Sequence, residues 1–168
     1  MDSGLFVVRI VFGLLMAGHG SQKLFGWFGG YGLSAVAGFF ESLGFRPGRL
    51  FALAAALSET TGGMLIALGF LGPIGPAIVL AVMIVAAGSV HWGHGVFAAT
   101  NGIEVTLLYA AVATGLILAG FGRYSLDAVL GLGSLWTPSI QLAALAVGIG
   151  GGLTNLALRR PQQNPVTA

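Results

Sequence analysis

The chain has 168 residues, 56% of them hydrophobic, with 7 Lys and Arg against 5 Asp and Glu. Ordinary soluble domains carry roughly 25% charged residues, so a soluble fold of this length would lack the polar groups to cover its surface, and lipid is the expected solvent. The net charge of +2 comes from cations flanking apolar runs and argues for membrane orientation, not nucleic acid. The absence of cysteine excludes disulfides, thiolate metal sites, covalent c-type haem attachment and a thiol relay carried by this chain.

A span needs about 20 residues, and five apolar segments qualify, at about 4–22, 50–71, 74–92, 103–120 and 139–158. The expected fold is therefore all-α, a polytopic membrane helix bundle. Met1-Asp2-Ser3 lacks a basic leader, so the first helix is expected to be retained. At 100° per residue, Arg9, Gly13, Met16, Gly20 and Lys23 fall within about 40° of one meridian, a cationic, partly glycine-lined stripe that should face the bundle.

Residues 24–45 follow, dense in aromatics such as Phe25, Trp27, Phe28, Tyr31, Phe39 and Phe40. Leu33, Val36, Ala37, Phe40 and Leu43 recur at helical spacing while Ser34, Glu41 and Ser42 lie elsewhere on the wheel. That pattern predicts a short helix in the interface plane, anchored by its aromatics. The functional alternative is a lid over a lipid-accessible pocket.

The second span carries Glu59 near its middle, on a face of small residues that includes Ala52, Ala55, Ala56, Gly62 and Gly63. Small residues let another helix approach closely. Pro73 and Pro76 mark the break before the third span, which ends near His91 and His94. Asn101-Gly-Ile-Glu104 reads as a capping-box start of the fourth span, with a proton acceptor beside the histidines as the functional alternative for Glu104. Arg123 and Asp127, four apart, read as a surface pair, and Tyr124 as an interface anchor. In the fifth segment Gly148 and Gly152 form a GxxxG pair, either a packing face or a sign of weak helix propensity. A short polar tail closes the chain.

With five spans, Lys23, Arg46, Arg49, Arg159 and Arg160 share one side, so the positive-inside rule puts the N-terminus outside and the C-terminus in the cytoplasm of a plasma membrane protein. Charge inside a span costs about 2.5–3.5 kcal/mol at the centre, so each such residue needs a partner or a task. Arg9 and Glu59 sit well inside predicted spans. At about 1.5 Å per residue an Arg9–Glu59 ion pair is within partial reach, and His19 approaches Glu59 from the other end with a similar shortfall. A buried Arg9–Glu59 pair that only fixes assembly competes with a substrate, proton or quinone site. The histidines His19, His91 and His94 share one predicted side, but their spacing matches no strong metal or haem signature, and solvated interface groups are the preferred reading.

Taken together these motifs resemble the DoxX family of small bacterial membrane proteins. The resemblance runs over roughly residues 5–127: Arg9-x3-Gly13, then His19-Gly20-x-Gln22-Lys23-Leu-Phe-Gly-Trp-Phe-Gly-Gly30, Glu59-x2-Gly62-Gly63, His91, Asn101-Gly102, Glu104 and Gly122-Arg-Tyr-Ser-Leu-Asp127. It implies a four-helix core over 1–127, with 128–168 adding the fifth span and tail. The family name comes from subunits linked to quinone-coupled sulfur oxidation, and for most members the activity is unassigned. Related redox proteins use cysteine pairs, which this chain lacks. Arg9, His19, Lys23, Glu59 and His91 match the family's polar positions. The resemblance thus implies a redox accessory binding a quinone or similar molecule, with a redox partner protein. Lys23 or His19 would bond a carbonyl, Glu59 would take or relay a proton, and Arg9 would hold Glu59 ionised. A small transporter or lipid-handling protein, and a non-catalytic scaffold forming a homo-oligomer through the Gly148–Gly152 face, are the competing readings.

Overall fold

In the computed structural model, which describes residues 2–160, helices account for nearly all regular structure. Met1 and the expected polar tail, residues 161–168, lie outside the described residues. The helices are α1 (Asp2–Phe25), α2 (Gly32–Ser42), α3 (Gly48–Leu68), α4 (Ile74–Ala86), α5 (Glu104–Ala119), α6 (Leu126–Val129) and α7 (Pro138–Ala157). Beyond Ala86 the path of α4 widens into one π turn over Ala87–His91 and then tightens into a 3-10 turn over Trp92–His94.

Four helices are long and apolar enough to cross a membrane: α1, α3, α4 with its extension to His94, and α7. The fifth long helix, α5, has 16 residues, about 24 Å, which is shorter than the roughly 30 Å hydrocarbon core. In contrast α7, the least regular apolar run in sequence, forms a full-length helix with Thr137 as its N-cap and Pro138 in its first turn.

Glycines set how closely the helices meet. A Cβ at Gly13 would stand 2.5 Å from the Ala67 nitrogen and 2.6 Å from the Gly63 carbonyl oxygen, so α1 and α3 touch backbone to backbone. In the same way Gly148 and Gly152 press on the Ala77 and Ala81 carbonyls of α4, each 2.9 Å from an added Cβ. The GxxxG pair is therefore a packing face, used within the chain and not between copies. Phe12, Met16, Ile66, Val79, Leu80 and Ile117 fill the core among these helices. The exposed leucines, isoleucines and valines on the outside of α1, α5 and α7 form the surface that lipid would cover.

The ends of the bundle are tied by polar contacts. At one end Asp2 pairs with Arg123 at 3.2 Å, and the loop after α5 meets the end of α3, where the Asp127 N–H donates to the Gly69 carbonyl at 3.0 Å. At the other end the Arg160 N–H donates to the Gly44 carbonyl at 2.9 Å and the Arg159 side chain donates to Leu43, joining α7 to the turn between α2 and α3. The long helices thus alternate in direction, and Asp2 and Arg160 lie at opposite ends.

α2 packs against α3 and α1. Its five apolar positions, Leu33, Val36, Ala37, Phe40 and Leu43, are all half-buried, while Ser34, Glu41 and Ser42 are exposed, so the wheel drawn from sequence gives the correct inward face. No residue of α2 is fully buried.

Candidate functional site

The expected Arg9–Glu59 pair does not form. Glu59 accepts from the Lys23 ammonium, and Arg9 donates to the Tyr124 backbone carbonyl at the far end of the bundle. The sequence estimate started α1 and α3 from a common plane. The glycine contacts instead set the antiparallel register, with Gly20 against Ala56 and Thr60, so α3 projects past the end of α1 and the last turn of α1 reaches Glu59. Glu59 is 3% exposed and the Lys23 side chain 28%, so the pair bridges interior and surface. Nothing in the register leaves Arg9 to hold Glu59 ionised.

Beside this pair lies a cavity of about 400 Å³ between α2, α3, α4 and the end of α7. Its walls are apolar, with Phe39, Phe40 and Phe45 from the α2 side and Ile78 and Val82 from α4. The polar groups converging on it are Lys23, Ser58, Glu59, Ser89, His91 and Asn155. Phe45 is fully buried and stacks obliquely between Phe40 at 5.6 Å and Phe51 at 5.2 Å, holding the α2–α3 turn over the cavity. A mostly apolar chamber of some 300–1,000 Å³ with a few convergent polar groups is the usual form of a small-molecule site.

Of the residues singled out in sequence, Lys23, Glu59 and His91 line this cavity, and His19 joins Lys23 at a second one, of about 510 Å³, nearer the start of α2. His91 sits where the helix widens and its Nδ1 lies 2.8 Å from the Asn101 carbonyl, while exposed His94 turns back to the Val90 carbonyl at 3.0 Å. The break in helical path separates the two imidazoles. Among the described residues no three His, Asp or Glu side chains stand together as a metal site, so the His19, His91 and His94 set is not assembled.

Glu104 and Arg9 lie away from both cavities. The expected capping box at Asn101 is absent because Asn101 is left-handed (φ 63°), whereas an N-cap residue has an extended backbone. The Glu104 carboxylate accepts from the Ala98 N–H at 2.7 Å and pins the loop before α5. The expected Arg123–Asp127 pair is also replaced: Arg123 pairs with Asp2, and Asp127 is 3% exposed. The Asp127 carboxylate accepts from the Leu71 N–H at 2.9 Å, the Gly72 N–H at 2.7 Å and the Trp136 indole at 2.8 Å. Tyr124 is half exposed, as an interface aromatic should be, but its carbonyl is what Arg9 needs. Arg9 is 1% exposed, and among the described residues its Nε and Nη1 have no hydrogen-bond partner. The rings of Phe6 at 5.7 Å and Phe121 at 5.4 Å face its guanidinium and supply cation–π compensation.

Sequence reasoning missed Ser58, Ser89 and Asn155 as cavity residues. Serines hydrogen-bonding to the preceding helical turn are common in spans, and Ser89 does so to the Val85 carbonyl at 2.6 Å, so residue type alone held no signal. The place of Asn155 at the cavity follows only from how α7 packs.

Long apolar helices packed through small residues define an integral, multi-pass membrane protein of the all-α bundle class. Within that class the chain belongs to the DoxX family: the family model described as DoxX matches residues 4–92, just over half of the chain. The match runs from α1 into the α4 extension and contains Arg9, His19, Lys23, Glu59 and His91; α5, α6 and α7 fall outside it. No curated protein and no solved structure matches the chain.

Proposed function

We propose that the protein binds a lipid-soluble molecule with a polar carbonyl-bearing head, of which a quinone is the best-fitting class, and serves as a redox accessory in the plasma membrane with its C-terminus in the cytoplasm. The observation that carries this reading is the Lys23–Glu59 pair at the edge of an apolar cavity of about 400 Å³. The lining suits such a head. An ammonium donates to a carbonyl oxygen, a neighbouring carboxylate accepts a proton, and phenylalanine faces cover a flat ring. Ser58, Ser89 and His91 add hydrogen-bonding groups along the same wall. A quinone reduced in this cavity would take up two electrons and two protons, the Lys23 ammonium being placed to give a proton to a carbonyl oxygen and the Glu59 carboxyl to relay its replacement. Electrons would come from a redox partner protein.

The test is solvent extraction of protein purified in mild detergent, followed by mass analysis, with a thermal-shift titration against a short-chain quinone. The expected result is a co-purifying quinone or a quinone-dependent rise in melting temperature that Phe40→Ala reduces. A preparation with no extractable quinone and no quinone-induced shift would overturn the proposal.

A further inference from the structure

The second cavity, of about 510 Å³, has no part in the reading above. It lies between the last turns of α1, the Gly29–Tyr31 segment and the first part of α2, and it shares Lys23, Phe39 and Phe40 with the first. Its polar wall is built from His19, Gln22, Lys23 and Tyr31, and no carboxylate lines it, whereas Glu59 lines the first cavity alone. Gln22 donates to the Phe28 carbonyl at 3.1 Å and Lys23 donates to Glu59. An ammonium carries three N–H donors, so two on Lys23 remain after Glu59 has taken one. Among the described residues the side chains of His19 and Tyr31 form no hydrogen bond, which leaves an imidazole and a phenol unengaged on the same wall.

Unspent N–H and O–H donors around a cation, with no acceptor carboxylate, select an anion. A cationic ligand would meet Lys23, and a neutral apolar one would leave these donors unpaired at the cost of their desolvation. An oxyanion with several acceptor oxygens, such as a phosphate, uses all of them. The surroundings agree with that charge. Exposed Arg46, Arg49 and Arg160 belong to the same end of the bundle, and exposed Phe25, Trp27 and Phe28 adjoin Gly29 and Gly30 of the cavity wall. Basic and aromatic residues together at one end are the usual pattern of a headgroup-contacting surface.

We infer that the second cavity is a phosphate-oxyanion site, taking the headgroup of an anionic phospholipid or a free phosphate, and that Lys23 couples it to Glu59. One ammonium serves both carboxylate and oxyanion, so each weakens the hold of the other. Removal of the Glu59 charge therefore tightens the oxyanion site, although Glu59 does not touch it. This holds whatever the first cavity binds.

The experiment is calorimetric titration of the purified protein in nonionic detergent with short-chain phosphatidylglycerol, with the matched phosphatidylcholine and with inorganic phosphate. Phosphatidylglycerol is expected to bind about tenfold more tightly than its zwitterionic counterpart. Tyr31→Phe and His19→Gln, both at exposed positions and so neutral to folding, each weaken binding several-fold, and Glu59→Gln strengthens it. Displacement of the lipid by inorganic phosphate assigns the site to free phosphate, and failure to displace it assigns the site to the lipid headgroup. Equal affinity for the two lipids with no binding of phosphate, or affinity for phosphatidylglycerol unchanged in Tyr31→Phe and His19→Gln, overturns the site. Weaker binding in Glu59→Gln overturns the coupling. No quinone enters the titration, so its outcome is separate from that of the first cavity.

Discussion

Lys23 and Glu59 form one unit, and each alone is a liability. Removing one partner of a buried ion pair leaves an uncompensated charge and costs about 3–5 kcal/mol, whereas replacing both by apolar groups is often neutral. Lys23→Met is therefore expected to lower the detergent melting temperature sharply, by a free energy of about 3 kcal/mol, and Lys23→Met with Glu59→Leu to regain most of the loss. The cycle also separates the two geometries: Lys23 and Glu59 should couple strongly, and Arg9 and Glu59 should be additive, as distant sites are. Asp127 is the other buried carboxylate with a structural task. It ties the α3–α4 turn to the indole of Trp136 by three hydrogen bonds. Asp127→Ala leaves those donors unpaired, with an expected loss of about 2–3 kcal/mol in thermal unfolding and a change in Trp136 emission, while Trp136→Phe should cost less. Asp127 was misread in sequence because a spacing of four from Arg123 suggests a helical pair. The backbone there is a turn followed by the short α6, so the spacing carries no side-by-side geometry.

At the scale of elements, the sequence pattern identifies which face of α2 turns inward, and packing decides what lies beneath it. α2 lines both cavities with no fully buried residue, and its C-terminal turn is held from the far end of the chain by the backbone of Arg160 and the side chain of Arg159. α7 also contributes Asn155 to the first cavity. The last helix, outside the family match, thus supports the α2 side of a cavity built mainly inside it. Arg159→Ala should release the turn around Leu43 and Gly44, read as faster amide exchange across residues 39–45 with little change in α3; unchanged exchange would mean that Phe45 alone holds the turn. The α1–α3 contact is the complementary case. A leucine at Gly63 forces the two backbones apart and removes the register that brings Lys23 to Glu59, so Gly63→Leu should lose both folded yield and the Lys23–Glu59 coupling.

Over the whole molecule the contacts at the two ends determine the direction of every long helix. Asp2, Gly69, Gly72, Arg123 and Asp127 gather at one end, and Gly44 and Arg160 mark the other. The chain therefore crosses the bundle an odd number of times. Arg46, Arg49 and Arg160 lie at the Gly44 end, and the proposed orientation, which follows the positive-inside rule, has that end facing the cytoplasm. Cysteines introduced at Ser3 and at Arg160 of this cysteine-free chain should be labelled by an impermeant maleimide from opposite sides of the membrane, Ser3 from outside. Labelling of both from one side would remove the five-crossing topology.

What the sequence determined by itself was the solvent, the helical class and the inward stripe of α1, since these depend on composition and on a fixed angle per residue. It also supplied the polar residues that need an account. Which of them meet was decided only by the tertiary structure. Partnership between Lys23 and Glu59, and not Arg9 and Glu59, depends on how far one helix slides along another. That offset comes from close contacts at Gly13, Gly20 and Gly63, whose positions are visible in the sequence but whose pairing is not. The first cavity has the same origin, as a space left where the register sets bulky aromatics of α2 against the small residues of α3.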